Sequence, residues 1–122
     1  VAINRNHDPL IMTAAVLGAL GVIGGAFGAH YAHGQASDWL RTAAQYQLPH
    51  ATVIVGLSQK PRWRVAAWLM IIGSGLFAVT LYLMALGAPH WLGAITPLGG
   101  LAMIAGWLWL AIKEGLNRPE RD

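Results

Sequence analysis

The chain has 122 residues, 56% of them hydrophobic and 11% charged, against about 25% charged residues in an ordinary soluble domain. Its formal charge is +3, but the basic residues sit in short gaps between apolar runs. That excludes the basic polar surface a nucleic-acid partner needs and points to membrane lipid as the solvent. With no cysteine, disulfides and thiolate metal sites are also excluded.

A spanning helix needs about 20 predominantly apolar residues, so four crossings would use most of the chain and leave no second domain. From Leu10 to Ala29 the one polar side chain is Thr13. A secretory leader is the rival reading of this segment, but its apolar core would be about 7 to 15 residues followed by a cleavage site. This run is longer and leads into further spans. The predicted spans are 10–30, 42–58, 65–86 and 92–112. Between them lie Tyr31 to Arg41, Ser58 to Arg64 ("SQKPRWR") and Gly87 to Trp91 ("GAPHW"). Connectors this short favour sequential antiparallel neighbours, so the expected architecture is all-α: four transmembrane helices in an up-and-down bundle.

Arg5, Lys60, Arg62, Arg64, Lys113, Arg118 and Arg121 all fall on one side of that bundle, and Arg41 alone falls on the other. Basic flanks stay in the cytoplasm, so both termini are expected to be cytoplasmic, or matrix-facing in a mitochondrion. Trp39, Trp63 and Trp91 stand at predicted helix ends, where indoles sit among headgroups.

In the first helix Gly18, Gly21, Gly25 and Gly28 recur at helical spacing, with Ala14 one step earlier. Association between lipid-bathed helices depends on close backbone approach, which small residues permit. Gly99, Ala102 and Gly106 make a shorter stripe on the fourth helix. These glycines are the candidate helix-packing residues, serving either the bundle itself or a docking face for another protein.

The second helix is the least apolar, reading "TAAQYQLPHATVIVGL" from Thr42. At 100° per residue, Thr42, Gln45, Tyr46, Pro49 and His50 share one arc expected to face protein, while Gln47 points elsewhere. Pro49 cannot donate to the carbonyl of Gln45, so a kink is expected there. His50 lies about 12 Å along the helix from Thr42, below the outer interface. An ionisable group inside a span is a functional candidate by default. His30, His33, His50 and His90 map to the outer half, with Met84 as a soft ligand nearby, which makes a metal (His30, His50) or haem site conceivable. The plainer alternative is a neutral His50 hydrogen-bonded to Tyr, Gln or Thr on an adjacent helix.

In the fourth helix Thr96 before Pro97 reads as an N-cap followed by proline in the first turn. The helix then starts at Pro97 after an irregular entry, its amides aimed toward His50 as an anion site; otherwise it starts at Leu92 with a proline kink.

Four segments resemble one known family: "GAFGAH" (Gly25 to His30), "WLRTAAQYQLPH" (Trp39 to His50), "LYLMAL" (Leu81 to Leu86) and "LGAITPLGGLAMIAGW" (Leu92 to Trp107). The family is that of the domain of unknown function 423, which includes the transmembrane protein 256 group. The resemblance covers about three quarters of the chain. It implies a small multi-pass protein of bacterial inner membranes or mitochondria, with no attached activity. The motif residues it carries are Gly25, Gly28, His30, Thr42, Gln45, Tyr46, Gln47, His50, Tyr82, Gly93, Thr96, Pro97, Gly99 and Gly100. Pro49 departs from the family pattern, which is usually aromatic there.

No paired carboxylates, activated nucleophile or phosphate loop is present, so catalysis is not expected. Asp8, Asp38, Glu114, Glu120 and Asp122 all lie outside the predicted hydrocarbon, which also speaks against ion-coupled transport. The expected function is that of a non-catalytic accessory or assembly subunit in the bacterial inner membrane, touching lipids and other membrane subunits but no nucleic acid. The alternative is a protein holding a metal, haem or quinone at His30, Gln45, Tyr46, His50 and Thr96. A solute channel would need a continuous polar lining that only the second helix begins to supply.

Overall fold

The computed structural model describes residues 7–116. Arg5, Arg118 and Arg121, used above to orient the chain, and the acids Glu120 and Asp122 lie outside the described residues. Helix α1 runs Pro9–His30 because Asp8, in extended conformation, accepts a 2.9 Å hydrogen bond from the Leu10 amide, and Pro9 needs no donor in the first turn. At 1.5 Å per residue it is about 33 Å long, enough to cross the hydrocarbon core. Helix α2 runs Gly34–Leu57, α3 Arg64–Ala85 and α4 Thr96–Leu116, with 3-10 turns at Pro61–Trp63 and His90–Ala94. All elements among the described residues are helical.

One boundary differs from the sequence-based expectation, and at another, one of the two alternatives is found. The first connector is Tyr31 to His33, and α2 begins at Gly34, whose φ of 61° suits a residue without a Cβ. Gln35, Ser37, Asp38 and Arg41 read as loop by polarity, yet they form opening turns of α2 that pack on the end of α1. There Ser37 donates to the Gly28 carbonyl at 2.5 Å, one of the orphan acceptors of α1's last turn. At the other boundary α4 begins at Thr96 after the 3-10 turn, so the irregular entry is the arrangement found and the helix does not start at Leu92.

Three segments are long and apolar enough to cross a membrane: Pro9–His30, Pro61–Ala85 and His90–Leu116. Helix α2 has the length but not the apolarity, so the four-helix all-α bundle carries three clear candidate spans rather than four.

Packing is sequential and antiparallel: α1 on α2, α2 on α3 and α3 on α4, with a lesser contact between α1 and α3. One core cluster joins Leu10, Ala14, Ile54, Leu57, Ala66, Ala67 and Met70 near the end of the bundle that holds the α1 N-terminus. A second joins Ala43, Ala78, Leu81 and Met84 toward the opposite end.

Close approach of α3 and α4 rests on facing glycines. A Cβ built at Gly99 would lie 2.6 Å from both the Gly73 carbonyl oxygen and the Phe77 amide, and one at Gly73 would lie 2.6 Å from the Met103 amide. At Gly106 it would meet Met70 at 2.8 Å. On α1 the corresponding neighbours are Leu48 for Gly21 (2.9 Å), Ala44 for Gly25 (3.2 Å) and Leu40 for Gly28 (3.0 Å), while Gly18 keeps an ordinary 3.9 Å from Ala51. These stripes therefore face the bundle's own helices. Gly24, off the anticipated stripe, makes room for the ring of Tyr82, whose hydroxyl a Cβ would meet at 2.6 Å.

Candidate functional site

In hydrocarbon a polar side chain without a partner is costly, so the bonds made by the few polar groups inside the bundle define its chemistry. Buried Ser74 and Ser58 each donate to a carbonyl three or four residues back, those of Met70 and Val55, and three interhelical links account for the others. Gln47, 1% exposed, donates through Nε2 to the Leu17 carbonyl at 2.7 Å and accepts at Oε1 from the Tyr82 hydroxyl, joining α1, α2 and α3. The hydroxyls of Thr80 and Thr96 lie 2.6 Å apart and join α3 to α4. His50 on α2 meets Trp107 on α4: indole Nε1 donates to imidazole Nε2 at 3.0 Å, and His50 Nδ1 lies 2.6 Å from the Tyr46 carbonyl oxygen.

The roles at His50 follow from its partners. An indole nitrogen only donates and a carbonyl only accepts, so the geometry fits the neutral ring protonated on Nδ1. Both ring nitrogens are thereby occupied. Among the described residues no buried side-chain nitrogen or oxygen lacks a partner.

The expected cluster of His30, Gln45, Tyr46, His50 and Thr96 is not assembled. His30 is exposed at the end of α1, whereas His50 lies at the level of Gly18, since Ala51 is the nearest neighbour across from that glycine. Twelve residues of helix separate the two heights, about 18 Å. His50 thus stands at mid-depth rather than in the outer half. Among the described residues no three His, Asp or Glu side chains come together to hold a metal. His90 packs edge-on against Trp39, with centroids 5.2 Å apart.

Thr96 does not cap α4 forward. Its hydroxyl turns back toward the Leu92 carbonyl (3.2 Å) and Thr80, and the helix start lies about 16 Å along α4 from Trp107, the partner of His50. The anion site expected there is therefore not formed with His50.

Of the arc on α2 expected to face protein, His50 is buried and Thr42 half-buried, but the rest differs. Ala43, Ala44, Gln47, His50, Ala51, Ile54 and Leu57 are buried, whereas Gln45 and Pro49 are exposed and Tyr46 is 45% exposed. The small residues Ala43, Ala44 and Ala51 let α2 approach its neighbours and so choose the inward face. That 3-4 spacing of alanine, isoleucine and leucine was the available signal for Gln47. Nothing in spacing alone marks Tyr82 or Trp107 as partners.

Among the described residues, clefts flank the bundle. One of about 430 Å³ lies between α1 and α3, lined by Leu20, Ile23, Phe27, Leu40, Tyr82 and Ala85 among others. The second, about 320 Å³, lies between α2 and α4 over α3, where Tyr46 and Phe77 (centroids 4.9 Å apart) face Trp107 and His50. Both are dominated by carbon. At the end that carries the α1 N-terminus, Arg62 and Trp63 bond Glu114, and Arg64 pairs with Asp8 at 3.4 Å. The exposed Arg62–Glu114 pair contributes little stability.

The comparisons with known proteins agree with this picture of a membrane bundle without reactive groups. The profile of the family described as "Protein of unknown function (DUF423)" matches residues 24–100. A UPF0382 membrane protein of Staphylococcus haemolyticus is 40% identical over 115 residues, covering 84% of this chain and 92% of the relative. The UPF0382 membrane protein YwdK of Bacillus subtilis is 37% identical over 114 residues, with 84% and 92% covered. The UPF0382 inner membrane protein YgdD of Escherichia coli is 30% identical over 113 residues, with 84% and 86% covered. No solved structure matches. With three helices long and apolar enough to cross a membrane and with these membrane-protein relatives, the chain is a small multi-pass membrane protein, and it belongs to the DUF423 family.

Proposed function

We propose that this protein is an accessory or assembly subunit that works inside the bilayer by packing against other membrane proteins. The observation that supports this most directly is where its surface lies. The helices are joined by turns of a few residues, so nearly all accessible surface belongs to helix flanks, and Val16, Leu20, Ile23, Phe27, Leu101, Ile104 and Leu108 lie exposed on α1 and α4. A partner that is to be recognised at all must be met there.

In this reading α2 also crosses the membrane, which makes four spans, and both termini are cytoplasmic. Lys60, Arg62, Arg64 and Lys113 at one end against Arg41 at the other support that orientation. The likeness to the transmembrane protein 256 group belongs to the same reading. Affinity purification from native membranes in mild detergent tests it: co-purifying membrane subunits in fixed ratio are expected, and recovery of this chain alone would refute it.

A second reading has one observation in its favour. The cleft between α2 and α4 offers three aromatic rings, Tyr46, Phe77 and Trp107, around a space that suits a flat lipid-soluble ring such as a quinone headgroup. Metal or haem ligation draws no such support, because His50 is engaged at both nitrogens and His30 is remote. Extraction of the purified protein with organic solvent, followed by an absorbance spectrum, would reveal a bound quinone.

A further inference from the structure

On α2 the outward positions Asp38, Thr42, Gln45, Pro49, Thr52 and Gly56 form one continuous stripe, exposed throughout except at half-buried Thr42. No large aliphatic side chain stands on it, whereas the flanks of α1 and α4 expose many, among them Val16, Leu20, Ile23, Leu101, Ile104 and Leu108. The stripe is therefore the opposite of a lipid-facing surface. Its cost concentrates at Gln45, which lies beside Ala44 at the level of Gly25, about 7 Å inside the end of α1. The Gln45 carboxamide has no hydrogen-bond partner within the described chain. Its main-chain carbonyl has also lost the usual donor four residues on, because that position is Pro49. Two acceptors and an amide donor thus face outward at one point of a segment flanked by clear spans.

We propose that this stripe is covered by the same stripe of a second copy, in a parallel two-fold dimer. Two features select a copy over a foreign partner. A carboxamide is both donor and acceptor, so two Gln45 side chains facing across a two-fold axis satisfy each other or the freed carbonyls. Asp38 and Arg41 stand one turn apart at the end of the stripe. Asp38 makes no ion pair among the described residues, and Arg41 reaches only the Gly28 carbonyl at 3.5 Å. Across the axis each guanidinium meets the other copy's carboxylate, which a two-fold pair repeats reciprocally. The register agrees as well. Asp38, Gln45 and Thr52 recur every seven residues, as do Thr42, Pro49 and Gly56, which is the spacing of two like-directed helices in a left-handed pair. Gly56 has nothing within 4 Å of a built Cβ, so the surface is open to receive a neighbour.

The inference rests on the reading in which α2 crosses the membrane, but the dimer neither requires nor excludes further subunits, so its test is separate from that of the accessory-subunit role. The chain has no cysteine, so single-cysteine variants of the purified full chain, reconstituted in phosphatidylethanolamine and phosphatidylglycerol vesicles, report on proximity. Thr52→Cys and Gly56→Cys are expected to form disulfide dimers on oxidation, while Val16→Cys and Leu101→Cys, on exposed faces of α1 and α4, are not. The dimer association constant read from energy transfer between labelled copies is expected to fall about threefold for Gln45→Leu, the effect of one bilayer hydrogen bond of average strength. Stripe variants that cross-link no better than Val16→Cys would overturn the proposal. So would unchanged energy transfer in Gln45→Leu.

Discussion

Gln47 accepts a hydrogen bond from the Tyr82 hydroxyl and passes its own amide proton to the Leu17 carbonyl, so one buried carboxamide ties three helices together. Gly24 makes this possible, since any side chain there would collide with the phenol.

Removing the hydroxyl with Tyr82→Phe leaves Gln47 Oε1 without its donor and keeps the ring in place. Interhelical hydrogen bonds in membranes average about 0.6 kcal/mol and reach about 1.7, so a loss of about 1 kcal/mol is expected in unfolding by denaturing detergent. Gln47→Leu should cost a similar amount and make Tyr82→Phe nearly neutral in its background. Additive losses in the double variant would show that the two groups do not act as a pair.

The neighbouring glycines Gly99 and Gly100 should behave oppositely. Gly99→Ala sets a methyl 2.6 Å from backbone atoms of α3, which cannot rotate away, so α3 and α4 must separate. Overpacking of this kind costs about 1–3 kcal/mol. Gly100 has nothing within 4 Å, so Gly100→Ala should be neutral or slightly stabilising through helix propensity. The same unfolding titration compares them, and equal stability of the two variants would contradict the facing-glycine contact.

His50 and Trp107 supply the one side-chain hydrogen bond seen between α2 and α4 among the described residues. Trp107→Phe removes the donor, His50→Phe removes the acceptor, and the double variant completes a cycle. A coupling of about 0.6–1.7 kcal/mol is expected, with the indole emission of Trp107 moving when His50 is replaced. A coupling near zero would mean that the two rings merely touch, at their observed centroid distance of 5.9 Å.

How much of this was legible in the sequence depends on which force set each feature. Helix α1 could be read almost to its ends because an apolar run broken only by Thr13 stops at a histidine, which together mark nearly the same boundaries. The start of α2 could not, because Gln35, Ser37, Asp38 and Arg41 have the polarity of a loop. Their helical state comes from tertiary contacts with the end of α1. The inward face of α2 was obscured for a related reason. In a bilayer polar arcs are expected to turn toward protein, so Gln45 and Pro49 drew attention, but close packing favours the face with Ala43, Ala44 and Ala51. Gln47 is carried inward on that face, where two partners happen to be within reach. Those partners, Leu17 O and the Tyr82 hydroxyl, lie 30 and 35 residues away in sequence, and helical periodicity carries no information about such pairings.

The orientation of α2 in the membrane is open to a direct measurement. Gln59 is exposed in the turn after α2 and His33 is exposed just before it. If α2 crosses, the two positions lie on opposite sides, and the basic end formed by Lys60, Arg62, Arg64 and Lys113 faces the cytoplasm. Gln59→Cys should then resist a membrane-impermeant maleimide added to intact cells and react only after the membrane is opened. His33→Cys should react at once. If both react from the same side, α2 does not span, and the three clear apolar helices place the chain ends on opposite faces.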